Sequence, residues 1–240
     1  MKSLKYLSYI ICAIFISGCT EKNISDNRII IDAKKYQGTI ALSKLCSRVT
    51  YTPLETSSTS LFGQIQKTRV SNHRLYFLSG YNQEKIIAFD RSTGDHVLTI
   101  DKIGEGPGEY VMATEFFVNP EDSCIEVYSR GLKKIIQYGS SGNFIEENKI
   151  NDYINSFIKT ENGYYLDVMR PNGKRAIVAS TPDLSENQVL FDFKDYAWGD
   201  INGFSYFNGT ISFGASLINT IYHISGTGFE IAYQFDFLEN

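Results

Sequence analysis

An all-β fold, assembled from repeated four-stranded antiparallel sheets, is what this 240-residue sequence predicts. Three observations carry it. The composition holds 16 Tyr and 16 Phe against a single Trp, residues that suit a half-buried pleated surface. Apolar and polar residues alternate, as in CIEVYSR (124–130), and no stretch after residue 27 keeps a 3.6-residue apolar stripe for three turns. Finally, the chain repeats itself. KIIAFDRSTGDHVLTI (85–100) aligns with KIIQYGSSGNFIEENKI (134–150), and the same strand–turn–strand shape returns at 175–191 and 220–235. Taking Asp90, Gly139, Thr181 and Ser225 as equivalent turn starts gives spacings of 49, 42 and 44 residues. A period of about 45 filled only with strands and turns predicts a β-propeller of four-stranded antiparallel blades.

The elements follow in order. Residues 1–18 carry Lys2 and Lys5, then an apolar run from Tyr6 to Ile16. A short apolar core behind positive charges reads as a signal peptide, too short for a stable span. Residues 19–27 form a polar tether, and 28–240 form the propeller domain. RIIIDA (28–33) and RVTYTPLE (48–55) are short strand candidates, expected to close the ring. The four blades fall near 62–101, 114–150, 155–193 and 203–237.

KIGEGPGEY (102–110) connects blade one to blade two. Its glycines permit a sharp bend and close backbone approach, and Pro107 stiffens the middle. A phosphate-binding glycine loop would lead into a helix, whose N-terminus faces the anion. No helix is expected here, so the phosphate reading fails.

Charge and chemistry exclude more than they identify. A net charge of −4 argues against a nucleic-acid partner. The three histidines, His73, His96 and His223, fall in different blades, and no nucleophile elbow occurs. No catalytic residues, metal site or cofactor are expected. DRSTGD (90–95) places oxygens at alternating positions but lacks a closing glutamate, and its equivalents GSSGN and SGTGF mark it as the hairpin turn of each blade. Of the four cysteines, Cys12 leaves with the signal segment. Cys46 and Cys124 either pair in an oxidising compartment or act as small buried hydrophobes.

Ile16-Ser17-Gly18-Cys19 resembles a bacterial lipobox, which implies that Cys19 is the lipidated N-terminus of the mature chain. Thr20 after it implies passage to the outer membrane, with the leaflet left open. VTYTPLET (49–56), the blade pattern and GEGPGEY (104–110) together resemble the six-bladed β-propeller lipoproteins described as TolB-like or NHL-like. That resemblance implies six blades where this sequence supplies four, hence an incomplete ring with open blade edges prone to self-association, with a genuine four-bladed ring or closure by a second chain as the alternatives.

Propeller ligands usually meet the loops between blades and between second and third strands. On this basis the ligand-binding candidates are Tyr81, Asn82, Glu105, Glu109, Tyr110, Arg130, Arg170 and Asn172. The function expected is a lipid-anchored binding or scaffold module of the cell envelope for a protein or glycan ligand. The alternatives are a metal-dependent carbohydrate lyase or lactonase, and a truncated fragment without function.

Overall fold

The computed structural model describes residues 27–32, 34–35, 38–71, 73–80, 84–170, 173–193, 203–215, 218–226 and 228–238. The signal segment, Cys19 and most of the tether lie outside the described residues. Blade one comprises β2 (Ile65–Val70), β3 (Arg74–Ser79), β4 (Lys85–Asp90) and β5 (His96–Ile100). Blade two comprises β6 (Ala113–Val118), β7 (Ile125–Ser129), β8 (Lys134–Tyr138) and β9 (Phe144–Lys149). In blade three these are β10 (Tyr153–Thr160), β11 (Gly163–Met169), β12 (Arg175–Ser180) and β13 (Asn187–Asp192). Blade four contains β14 (Phe204–Phe207), β15 (Thr210–Phe213), β16 (Thr220–Ser225) and β17 (Gly228–Phe237). Each blade is an antiparallel sheet in sequence order, so the expected four-bladed all-β propeller is what forms.

Alternation along the strands builds the packing between blades. Tyr76, Leu78, Ile86 and Ala88 of blade one meet Phe116, Ile125, Val127 and Ile136 of blade two. Tyr128 and Ile135 meet Leu166, Val168 and Ala176, and Tyr165 and Ile177 meet Ile211, Phe213 and Ile224. Among the described residues, no core cluster joins blade four to blade one. Burying such faces against one another is the main favourable term in blade stacking. The inner strands of blades one to three each shift register against their neighbour, at Ile65/Lys67, Ala113/Glu115 and Ile154/Ser156. A bulge at this point increases local twist and re-aims the side chains beside the axis.

The two ends of the arc differ. β1 (Arg28–Ile31) joins blade four as a fifth strand, parallel to β17, with Arg28 paired to Asp236. RIIIDA thus does pair with the last blade, whereas 48–55 forms no strand. Instead this segment is laid on blade one: Glu55 N donates to Gly94 O at 2.9 Å and His96 N donates to Glu55 Oε2 at 2.8 Å. Phe62 then stacks on Phe77 at 5.6 Å and meets Phe89 edge-on at 6.1 Å. Gly94, at φ +82°, leaves no room for a Cβ, which would sit 1.9 Å from the Pro53 oxygen. Close backbone approach, rather than strand pairing, holds the segment there.

Candidate functional site

The glycine-rich connection is a clasp. Ile103 bridges Tyr110, and Tyr110 N donates to Lys102 O at 2.8 Å. The Glu109 carboxylate turns back to accept Gly106 N at 2.9 Å. Blade two holds the bend from outside: Gly108 N and Lys134 Nζ both donate to Glu147 Oε2, at 2.9 and 2.8 Å, while Lys134 Nζ also reaches Gly106 O. Burial would raise the Glu147 carboxyl, but Lys134 and the Gly108 amide outweigh it and hold it below the usual carboxylate range.

The expected ligand residues scatter in role. Tyr110 is fully buried, and its hydroxyl contacts the Glu84 and Ile100 carbonyl oxygens at 2.8 and 2.9 Å, so it locks the blade junction. Glu109 is spent inside its own loop, while Glu105 is exposed. Arg130 lies over the Tyr153 ring, which Lys133 also covers. Arg170 pairs with Asp192 at 3.2 Å in blade three. Tyr81, Asn82 and Asn172 lie outside the described residues. Glu105, Arg130 and Arg170 are absent from the walls of the three cavities described among these residues.

Concave space lies instead on the opposite face, where first strands turn into second strands and third into fourth. A cavity of about 430 Å³ spans blades two, three and four, with Phe117, Gln137, Lys159, Asn162, Tyr206 and Ile211 in its walls. A second space of about 760 Å³ adjoins it between blades three and four, sharing Thr160, Asn162, Gly209 and Ile211. Tyr165 fixes one side of that second space by donating its hydroxyl to Gly226 O at 2.8 Å. An apolar wall with a few convergent polar groups is the usual composition of a ligand site.

Behind the smaller cavity stands a buried carboxylate. Glu126 is the direct cross-strand partner of Gln137, and its Oε1 accepts Lys159 Nζ at 2.5 Å. It is 1% exposed, and beside Lys159 it interacts with the hydroxyl of Tyr164 on β11. Burial pushes this carboxyl above the usual carboxylate range, against the opposing pull of Lys159. The rim carries Glu121, Asp122 and Glu161.

None of these cleft residues stood out in the sequence. One signal was available: the loop between the first two strands of blade two runs from 119 to 124, whereas its counterparts at 161–162 and 208–209 hold two residues each. Elsewhere the turns serve themselves. Asp90 Oδ1 accepts Ser92 N, Ser92 Oγ and Thr93 N, which hold its carboxyl down at about 2. That is the hairpin turn anticipated for DRSTGD. Among the described residues, no group of three His, Cys, Asp or Glu is placed to hold a metal ion. Cys46 and Cys124 are both free.

The fold and its cleft define a β-propeller with a hairpin-face pocket between adjacent blades. Residues 27–240 match the profile of a domain of unknown function, DUF4934, and the chain belongs to that family. In fold it is similar to a protein of Bacteroides fragilis described as exported, with a TM-score of 0.70 at 19% identity over 88% of this chain and 60% of that one. It is also similar to a member of the DUF4221 family from Bacteroides vulgatus, with a TM-score of 0.52 at 13% identity over 76% of this chain and 61% of that one. The chain thus spans about three fifths of the length of these two structures. No curated protein matches it.

Proposed function

We propose that this protein is a non-catalytic binding module of the bacterial envelope, anchored through a lipid on Cys19, whose ligand seats in the hairpin-face cleft between blades two, three and four. One observation carries the reading: the cleft joins apolar walls at Phe117, Tyr206 and Ile211 to convergent polar groups at Gln137, Lys159 and Asn162. Propellers host many functions, so the site rather than the fold has to make the case. The likeness to an exported Bacteroides protein supports an envelope or secreted location. The lipobox-like Ile16-Ser17-Gly18-Cys19 supports the anchor, and the greater length of the matched structures supports kinship with larger, six-bladed propellers.

Protein spanning Thr20 to Asn240, screened against immobilised peptides and glycans, tests the ligand site. Hits should be lost in Tyr206→Ala and kept in Arg130→Ala. Hits lost only in Arg130→Ala, or no hits at all, would sink the proposal. Palmitate labelling of the full chain, abolished in Cys19→Ala, tests the anchor.

A further inference from the structure

Blade four turns one face away from blade three, and strand register sorts that face into two zones. Ile211, Phe213 and Ile224 pack towards blade three, so the residues alternating with them point the other way. Across the middle of the blade these form a polar row, Ser205–Ser212–His223–Glu230, each paired directly with the next. Past the bulge between β16 and β17 the character changes. Ile221 pairs with Tyr233, Ile29 with Phe235, and Ile31 with Phe237. Six apolar side chains from β16, β17 and β1 therefore share one surface at the outer edge of the blade. Ile29, Tyr233 and Phe237 are exposed there, and the other three are half-buried.

A further blade is a poor match for this surface. Where blades stack, a whole row is apolar, as in Leu78–Ile86–Ile100 of blade one. Stacking on blade four would instead bury the His223 and Glu230 row, and burying such groups is costly. The point where the chain enters favours a different occupant. β1 begins at Arg28, nine residues after Cys19. Nine residues reach at most about 32 Å when fully extended, so a lipid on Cys19 holds the apolar edge itself close to the bilayer. Lys34 and Lys35, both exposed, follow directly after β1. Aromatic and aliphatic side chains fringed by lysine suit the boundary between lipid headgroups and acyl chains.

Resting on the lipid anchor proposed at Cys19, we propose that the outer edge of blade four is a membrane seat. Ile29, Ile31, Tyr233, Phe235 and Phe237 lie against the bilayer, while the polar row at the middle of the blade stays in water. A lipid alone would leave the protein free to pivot about its tether. Lipid and seat together fix its pose, and with it the direction in which the hairpin-face cleft opens.

The experiment uses protein spanning Thr20 to Asn240 with an N-terminal hexahistidine tag. Nickel-chelating lipid holds it on phosphatidylethanolamine–phosphatidylglycerol vesicles, so attachment does not depend on Cys19. Brominated phosphatidylcholine in the bilayer quenches any tryptophan that reaches the acyl chains, and Trp198, the sole native tryptophan, gives the background. Emission from Phe237→Trp should fall about twofold beyond that background, as for a side chain seated in the boundary region. Ile145→Trp, exposed on the outer strand of blade two, should stay at background. Adding Ile29→Ser/Tyr233→Ser, both at exposed positions, to Phe237→Trp should restore most of the lost emission. Equal quenching at Phe237→Trp and Ile145→Trp, or none at either, would overturn the proposal. Phe237→Trp at background, with cross-linked dimers on the vesicles, would give the face to a second copy and overturn it too. Quenching at Phe237→Trp in a chain that takes up no palmitate would sink the anchor and leave the seat. Palmitate uptake without quenching would sink the seat and leave the anchor.

Discussion

Arg175 grips Asp167 through two hydrogen bonds, 2.7 Å from Nε and 2.5 Å from Nη2, with the two residues 2% and 0% exposed. The guanidinium also lies over Phe193 and Phe213, at 5.2 and 5.6 Å from their centroids, so an ion pair is sealed inside the junction of blades three and four. Desolvating two charges offsets much of their attraction, and removing one partner is worse than removing both. Asp167→Ala is therefore expected to cost about 3–5 kcal/mol in urea unfolding. Asp167→Leu/Arg175→Met should recover most of that loss. A double variant no more stable than the single one would show that the pair itself supplies the stability.

Buried phenols make the fold sensitive to alkali. Burial pushes the Tyr110, Tyr138 and Tyr164 hydroxyls well above the ordinary value of 10.0. In the unfolded chain these groups lose protons near pH 10, while in the folded chain they keep them. The folded state then binds more protons, so stability is fully present below about pH 10 and falls as pH rises further. Tyrosinate absorbance for these residues should appear together with loss of sheet ellipticity, as one alkaline unfolding step. Smooth titration of every tyrosine in intact protein would contradict this.

Turn carboxylates act at the other end of the scale. Asp90 and Asp183 are each held at about 2, chiefly by hydrogen bonds from Ser92 and Thr181 respectively. Their stabilising effect is present above the ordinary value of 3.8 and is lost as pH falls through about 2. Carboxyl carbon shifts should titrate near 2 for both residues. In Ser92→Ala, the Asp90 midpoint should rise while Asp183 stays put.

Gly108, in the blade-one to blade-two connection, has little freedom to change. Its φ is +70°, and a Cβ there would lie 2.7 Å from the Phe144 ring. Gly108→Ala should cost about 1–3 kcal/mol, from backbone strain and overpacking together. Combining it with Phe144→Ala should relieve the steric part and leave the φ part. Thermal denaturation of the three variants separates the two.

One end of the arc is covered and, among the described residues, the other is not. The segment through Phe62 covers Phe77 and Phe89 of blade one. On blade four, Phe207 is 76% exposed and Tyr233 46%, and both lie on the side away from blade three. An uncovered apolar sheet face promotes association. Light scattering of protein from Thr20 onward should give an apparent mass that rises with concentration. Phe207→Ser/Tyr233→Ser should flatten that rise, and an invariant monomer in both would refute the expectation.

Blades were legible in the sequence because their causes are local. Alternation in CIEVYSR and turn chemistry in DRSTGD act over a few residues, so a strand and a hairpin turn can be read from them without knowledge of neighbours. GEGPGEY was likewise readable as a bend between blades, since glycine and proline restrict the backbone wherever they stand. Which residues meet was not readable. Glu126 and Lys159 are 33 positions apart and touch only because blade three stacks on blade two. Tyr110 looks like a loop aromatic in the sequence, yet stacking buries it completely. The same stacking opens the cleft beside Phe117 and Tyr206, while 48–55, strand-like in pattern, lies against a hairpin because Gly94 lets backbone approach there. Local periodicity makes a blade; the arrangement of one blade against the next makes the site.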